Sequence, residues 1–326
     1  MRARLLMAAG LSLIALRSSD AQCTGTPTSA SQATEDARQQ AHDVFQYMAP
    51  QLGLAIAGGS PTLGQASVLG GLGHFSIGVR GNALAGHLPQ VDQFQTSCTG
   101  AQSRTLPTAE QYLGLPGVDA AIGVFKGLPL GVTNVGGIDV LLSASYIPEF
   151  DGDGVDVTAP DGSLKIGYGA RVGLLQESLL VPGVSVSVLR RDLPSVNVVG
   201  TSGGNSLAVN NLSVKTTAWR LVASKSLLLL GLTAGMGRDS YDQSANVTAT
   251  VQAPAPYGTV SSSIDPKQSL TRTNMFAGAS LNLLMLKLSG EVGKVSGGTI
   301  NTMNSFDGKA ADDSRMYASL GVRFGF

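Results

Sequence analysis

Apolar and polar residues alternate one for one through most of the chain after residue 72. Phe75, Ile77 and Val79 oppose His74, Ser76, Gly78 and Arg80. Val118, Ala120, Ile122 and Val124 oppose Asp119, Ala121 and Gly123. Ile138, Val140, Leu142, Ala144 and Tyr146 oppose Asp139, Ser143 and Ser145. Leu164, Ile166, Tyr168, Ala170, Val172 and Leu174 oppose Lys165, Gly167, Gly169, Arg171 and Gly173. The pattern returns at Val184–Val188, Leu228–Met236, Met275–Leu283 and Leu286–Val292. A period of two marks strands, because successive side chains leave opposite faces of the pleat. Ten principal strands follow, over about 72–83, 116–126, 137–147, 163–176, 182–190, 210–224, 227–237, 270–284, 285–295 and 314–326. In the strand 210–224 we place Trp219, Leu221 and Ala223 outward with Arg220 inward, and the opposite phase stays open. Segments 244–252 and 257–264 read as a hairpin within one connection, or as two further strands.

The last twelve residues sharpen the picture. Met316, Ala318, Leu320, Val322, Phe324 and Phe326 share one face, and Arg315, Tyr317, Ser319, Gly321, Arg323 and Gly325 share the other. Such a strand fits an apolar face against lipid and a polar face on a wet lumen. The connections also sort themselves. Counted back from the C-terminus, 296–313, 238–269, 191–209, 148–162 and 84–115 are long, while those between are short or moderate. Short turns at one end and long loops at the other are the rule for transmembrane barrels. No apolar run after the first residues reaches the roughly 18 that a spanning helix needs, so a membrane protein of this sequence crosses with strands.

The N-terminal part reads differently. Arg2 and Arg4 precede an apolar run from Leu5 to Leu16, and Ser19 and Ala21 supply small residues before a cut after Ala21. Residues 1–21 are therefore expected to be a secretory signal. Residues 22–71 form a helical and glycine-rich segment, packed under the barrel in the periplasm or plugging it, with one helix over 34–49. Thr34 is the expected cap, Glu35 and Asp36 lie in the first turn, and Pro50 is the stop. Ala37, Ala41, Val44, Phe45 and Met48 make its apolar stripe. Residues 72–326 form the barrel.

Composition agrees with an all-β chain: 42 glycines and only 13% charged residues. A secreted β-sandwich array has the same composition; strand period and loop sorting favour the barrel. Removing residues 1–21 turns a neutral chain slightly acidic, and no polybasic tract stands out, so nucleic acid is not an expected partner. Cys23 and Cys98 form one disulfide or a free pair. A bond between them requires the N-terminal segment to thread the lumen, or a different topology near 84–115.

No enzyme constellation stands out, and no cofactor is expected. His42, His74 and His87 lack metal-ligand spacing, although a triad scattered in sequence stays open. Asp151, Asp153 and Asp156 alternate with glycine and could wrap Ca²⁺, or form a solvated turn at a loop tip. The inward charges carry more. Arg80, Asp119, Asp139, Lys165, Arg171, Arg220, Lys287, Glu291, Arg315 and Arg323 fall on the polar faces. Charges at membrane depth persist facing water or one another. They line a lumen of positive potential, or they form a salt-bridge lattice that fills a narrow barrel.

The terminal strand, with Phe324 and Phe326, resembles the ending of bacterial outer-membrane β-barrels. That resemblance implies a closed antiparallel up-and-down transmembrane β-barrel of ten to fourteen strands in outer-membrane lipid. It further implies recognition of the terminal Phe by the barrel-assembly machinery and a periplasmic C-terminus. A helix followed by glycine-rich sequence such as Gly73-His74-Phe75-Ser76-Ile77-Gly78 loosely resembles the plug region of FadL-like transporters. That implies passive transport of a small or hydrophobic solute. A non-conducting barrel presenting external loops is the alternative, and an outer-membrane hydrolase a third.

Overall fold

The computed structural model describes residues 23–90, 93–147, 149–152, 155–202 and 205–325. The expected secretory signal and Phe326 lie outside the described residues. Among the described residues, ten long strands make one ring. They are β1 (Phe75–Pro89), β2 (Thr108–Phe125), β3 (Gly137–Tyr146), β4 (Leu164–Leu175) and β5 (Gly183–Asp192), followed by β6 (Asn205–Leu227), β7 (Leu230–Ala253), β8 (Lys267–Leu283), β9 (Leu286–Ser296) and β10 (Arg315–Gly325). Each pairs antiparallel with its sequence neighbours, and β1 pairs with β10 to close the ring. A closed up-and-down barrel leaves no unpaired edge, which is what a lipid environment demands. Residues 244–252 are the outer part of β7, and Gly258–Ile264 pairs back onto them, so this region adds no spanning strand.

One end of the ring carries the connections 126–136 and 176–182 and the tight turns 228–229 and 284–285. The other carries 90–107, 147–163, 193–204, 254–266 and 297–314. We call these the short-turn end and the long-loop end.

The strands outrun the expected ones at the long-loop end, for a physical reason visible along β7. Its outward face reads Leu230, Leu232, Ala234, Met236, and then Arg238, Ser240, Asp242, Ser244. Its inward face reads Gly231, Thr233, Gly235, Gly237, Asp239, and then Tyr241, Gln243, Ala245, Val247, Ala249. The pairing with β8 runs without a slip from Leu230 to Ser244, so the pleat keeps its phase while the chemistry of the two faces swaps. From Leu230 to Met236 the apolar outer face runs about 20 Å along the strand. Beyond it the barrel continues with a polar outer wall and an apolar interior, as a water-surrounded barrel would.

That interior packs on a helix, α1 (Ala30–Ala57). It is longer than the expected 34–49. Ser29, not Thr34, caps it, its Oγ accepting the Gln32 N–H at 3.1 Å. Pro50 does not stop it. Proline lacks the N–H that would bond the Gln46 carbonyl, and Gln268 Nε2 of β8 donates to that carbonyl at 2.9 Å instead. The wall thus repairs the break. Buried residues lie all round α1, from Ala33 and Asp36 to Leu54 and Ile56, because the helix runs inside the ring. Val44, Tyr47, Met48 and Leu54 pack with Leu84, Leu113, Phe276 and Tyr317, and Phe45, Ala49 and Ile56 pack with Val196, Val214 and Val247.

Cys23 and Cys98 are disulfide-bonded, with Cα atoms 5.2 Å apart. The described residues therefore begin at the long-loop end, descend the lumen as α1 and a following strap (58–69), and reach the short-turn end where β1 begins. Of the two arrangements open for this bond, the threaded lumen is the one observed.

Candidate functional site

The lumen at membrane depth is a polar shaft occupied by the end of α1 and the strap. Three arginines meet where the helix stops. Arg80 of β1 donates to Gly58 O at 2.8 Å, Arg191 of β5 to Gly59 O at 3.1 Å, and Arg220 of β6 to Ala57 O at 3.2 Å. The last carbonyls of a helix lack partners and carry the negative end of its dipole, so guanidinium groups are their natural complement. The arginines are held by acids on the wall. Asp119 bonds Arg80 at 2.7 Å and Arg191 at 3.1 Å, and Asp239 pairs with Arg220. Asp239 also accepts from Asn274 Nδ2 at 2.9 Å. The Tyr317 hydroxyl lies 3.1 Å from both Asn274 Oδ1 and Glu291 Oε1, which draws Glu291 into the same network.

Toward the short-turn end the strap is held along its length. Arg171 pairs with Asp139 and donates to Thr62 Oγ1 at 2.7 Å and Gln65 O at 3.1 Å. Asp139 accepts from the Leu69 N–H at 3.1 Å. Arg323 reaches Gln65 Oε1 at 2.5 Å, Ser289 reaches Leu63 O at 3.1 Å, and Lys287 reaches Gly64 O at 3.4 Å. Ala66 N–H donates to Ser224 Oγ at 2.9 Å. A strap without its own hydrogen-bond ladder must find partners for its backbone, and here the wall supplies them.

The wall is shaped for the strap. A Cβ at Gly183 would sit 2.3 Å from Ser67 Oγ, one at Gly137 2.5 Å from the Val68 side chain, and one at Gly173 2.9 Å from it. The cavity beside Ser60, Pro61 and Leu63 holds about 20 Å³, room for one water.

At the long-loop end α1 holds the loops. Asp36, fully buried, accepts from Ser97 N at 2.7 Å, Gln102 N at 3.0 Å and Arg104 Nη2 at 3.0 Å. Asp43, also buried, accepts from Asn304 N and Nδ2, each at 2.8 Å. Thr105–Leu106 pairs in parallel with Ser305–Phe306, and Phe306 stacks on Tyr47 with ring centres 3.9 Å apart.

Among the expected inward charges, Arg80, Asp119, Asp139, Arg171, Arg220, Lys287, Glu291 and Arg323 stand in the shaft network just described. Arg315 is buried higher up, 5.6 Å over the Tyr47 ring, with Nη2 on Ala310 O at 3.2 Å. Lys165 keeps the inward phase but sits exposed near the long-loop rim, outside this network. Arg191 and Asp239 were missed because the expected strands stopped at 190 and 237. Continuing the inward parity past Ser187 and Gly237 would have found both. Phe324 faces outward, its ring centre 6.5 Å from that of Phe75. Asp151 and Asp156 are register partners across a short hairpin, and Asp153 lies outside the described residues. No group of three or more metal-ligating side chains occurs among the described residues.

No protein-family model matches the chain, and no curated protein matches it in sequence. Solved structures do align. The toluene transporter TodX of Pseudomonas putida is 10% identical, with a TM-score of 0.32 over 83% of this chain and 97% of that one. Ail of Yersinia pestis, solved with a heparin analogue, is 10% identical, with a TM-score of 0.29 over 78% and 99%. An anion-selective porin from Comamonas acidovorans is 10% identical, with a TM-score of 0.18 over 77% and 98%. These scores are low, and the outer-membrane type of barrel is established by the chain's own closed strand order, apolar outer band and sorted loops.

Proposed function

We propose that this barrel is an outer-membrane transporter closed by its own N-terminal segment, with the short-turn end in the periplasm. It passes small or hydrophobic solutes when the strap 58–69 leaves the wall and α1 leaves the lumen with it. One observation carries this reading: a separate length of chain, α1 and the strap, runs through the lumen, and the wall's side chains close on it. A narrow solid barrel fills itself with side chains. Here the inward positions against the strap include Gly137, Gly173, Gly183, Ser224 and Ser289, and the ring also admits a helix of about 10–12 Å diameter. Withdrawing α1 and the strap together would leave an open bore with a cationic throat. The contacts that hold the strap are hydrogen bonds between wall groups and strap backbone or polar atoms, and those from Arg80, Arg171, Arg191, Lys287 and Arg323 and to Asp139 are charge-assisted.

The alternative, a permanently closed barrel that presents its loops, is favoured by the ties at the other end: the disulfide and the buried carboxylates Asp36 and Asp43. Conductance in planar bilayers separates the two. The wild-type barrel is expected to be mostly closed, and a chain lacking 23–69, helix and strap together, to conduct. A folded deletion variant that stays silent would refute transport.

A further inference from the structure

The outer wall holds a groove that the transport reading does not use. Register sets it out in rows. Met236, Met275, Lys294 and Met316 face outward at one level on β7, β8, β9 and β10. The row beneath, toward the short-turn end, is Ala234, Ala277, Val292 and Ala318. Three long methionine side chains over small ones make a shallow, open hollow of about 390 Å³ lined by Met236, Met275, Met316, Ala234, Ala277 and Val292, with Lys294 at its upper margin. One row above, the outward residues turn polar at Arg238, Thr273 and Ser296. The hollow therefore lies at the upper edge of the apolar band.

Lys294 and Arg238 crown it. Both are exposed, and neither has an ion-pair partner within 4 Å among the described residues. Another outward cation near this level does have an acid: Arg190 pairs with Asp192 at 3.3 Å. The two free cations are two strands and one row apart, about 12 Å between Cα atoms, so their long side chains can reach one head group. An apolar trough for an acyl chain, ending at unpaired cations where the band meets water, has the chemistry of a lipid with an anionic head.

We infer that this face seats a membrane lipid of the long-loop leaflet, with its acyl chain in the methionine-rimmed trough and its head-group phosphate on Lys294 and Arg238. Methionine suits such a role, since its flexible thioether adapts to an irregular partner. Each basic residue near an anionic head group contributes about a fivefold preference. The site holds whether or not the lumen conducts.

The chain carries a built-in reporter. Its one tryptophan, Trp219, is exposed on the outer wall of β6 as the register partner of Arg238. The barrel is reconstituted in nanodiscs of phosphatidylcholine containing a brominated lipid, either phosphatidylglycerol or phosphatidylcholine, and quenching of Trp219 is titrated. The anionic lipid is expected to quench at several-fold lower mole fraction. That preference should fall about fivefold in Lys294→Gln and in Arg238→Gln, and persist in Lys126→Gln, whose side chain is exposed at the short-turn end. Ala277→Phe fills the trough without touching either charge, and should weaken the preference too. Equal quenching by the two lipids in the wild type would overturn the inference. So would a preference that survives the double Lys294→Gln/Arg238→Gln variant, or one that Ala277→Phe leaves unchanged.

Discussion

If the strap closes the bore, a single methyl group on the wall should open it. Gly183 faces the lumen with an ordinary backbone conformation, and its missing Cβ would lie 2.3 Å from Ser67 Oγ and 3.1 Å from the Ser67 backbone nitrogen. Gly183→Ala therefore overlaps Ser67 Oγ by about 1 Å, so that hydroxyl must turn away, and the Ser67 backbone nitrogen is left tight by a few tenths of an ångström. Overpacking of this kind costs about 1–3 kcal/mol. Moving Ser67 also breaks the 2.9 Å bond that its hydroxyl accepts from the Glu177 N–H, worth about 1 kcal/mol net. Together the closed arrangement loses about 2–4 kcal/mol, which multiplies the open fraction roughly 30- to 700-fold while closure still dominates. Single-channel recording in planar bilayers reads this directly as open probability. Gly81→Ala is the control, because a Cβ there meets nothing within 4 Å and lies on the outer face. The barrel itself should keep its heat-modifiable gel shift in both variants. Unchanged open probability in a folded Gly183→Ala barrel would refute the strap as the gate, as would equal opening in Gly81→Ala.

Three further outcomes are expected. Reducing the Cys23–Cys98 bond releases a closure across 75 residues, worth about 4 kcal/mol in the chain-entropy treatment; the apparent Tm should fall and the N-terminal segment should become protease-sensitive, and an unchanged melt would contradict a structural role. Asp36→Ala should expose the loop 93–107 to limited proteolysis before 297–314, and Asp43→Ala the reverse, since each carboxylate holds a different loop; cleavage of both loops together in either variant would mean the two anchors are not separate. His87, beyond the apolar band, has its pKa lowered by burial and then by the charges of Arg315 and Lys309. Its folded state therefore binds a proton less readily than the unfolded chain, so its contribution to stability is present at neutral pH and is lost as pH falls below about 6.5. Melts at pH 7.5 and 5.5 should differ less in His87→Asn than in the wild type; an equal difference would assign the acid sensitivity elsewhere.

The membrane-depth half of the fold was legible because lipid imposes one rule on every strand. Apolar residues face out and small or charged residues face in, so β3, β4, β5 and β9 fall within two residues of their expected bounds. The long-loop half was not, because the rule inverts there without any change of pleat. After Met236 the apolar positions of β7 become Tyr241, Ala245 and Val247, all on the inward parity, and a reader following outward apolarity loses the strand at the inversion. The helix was under-read for a related reason. Pro50 is a stop in an isolated helix, and only the tertiary donor Gln268 lets α1 pass it.

The same logic explains how the lumen charges read in sequence. Arg80, Asp119, Arg171 and Arg220 were visible individually as inward charges, and three fillings of the lumen were open: water, a lattice of wall salt bridges, or the N-terminal segment as a plug. The structure combines the lattice with that segment. The acids orient the arginines, but the arginines spend their remaining donors on Ala57, Gly58, Gly59 and Gln65 carbonyls. Backbone carbonyls leave no trace in residue identity, so no pattern of side chains could have announced them. The glycines could. Gly137, Gly173 and Gly183 sit on inward parity, close to where the strap passes, and an inward glycine in a strand often marks a place where another backbone approaches. A lumen wall that alternates arginine with glycine is therefore better read as a socket for chain than as a selectivity surface for solute. The solute pathway, on this view, exists only after the socket empties.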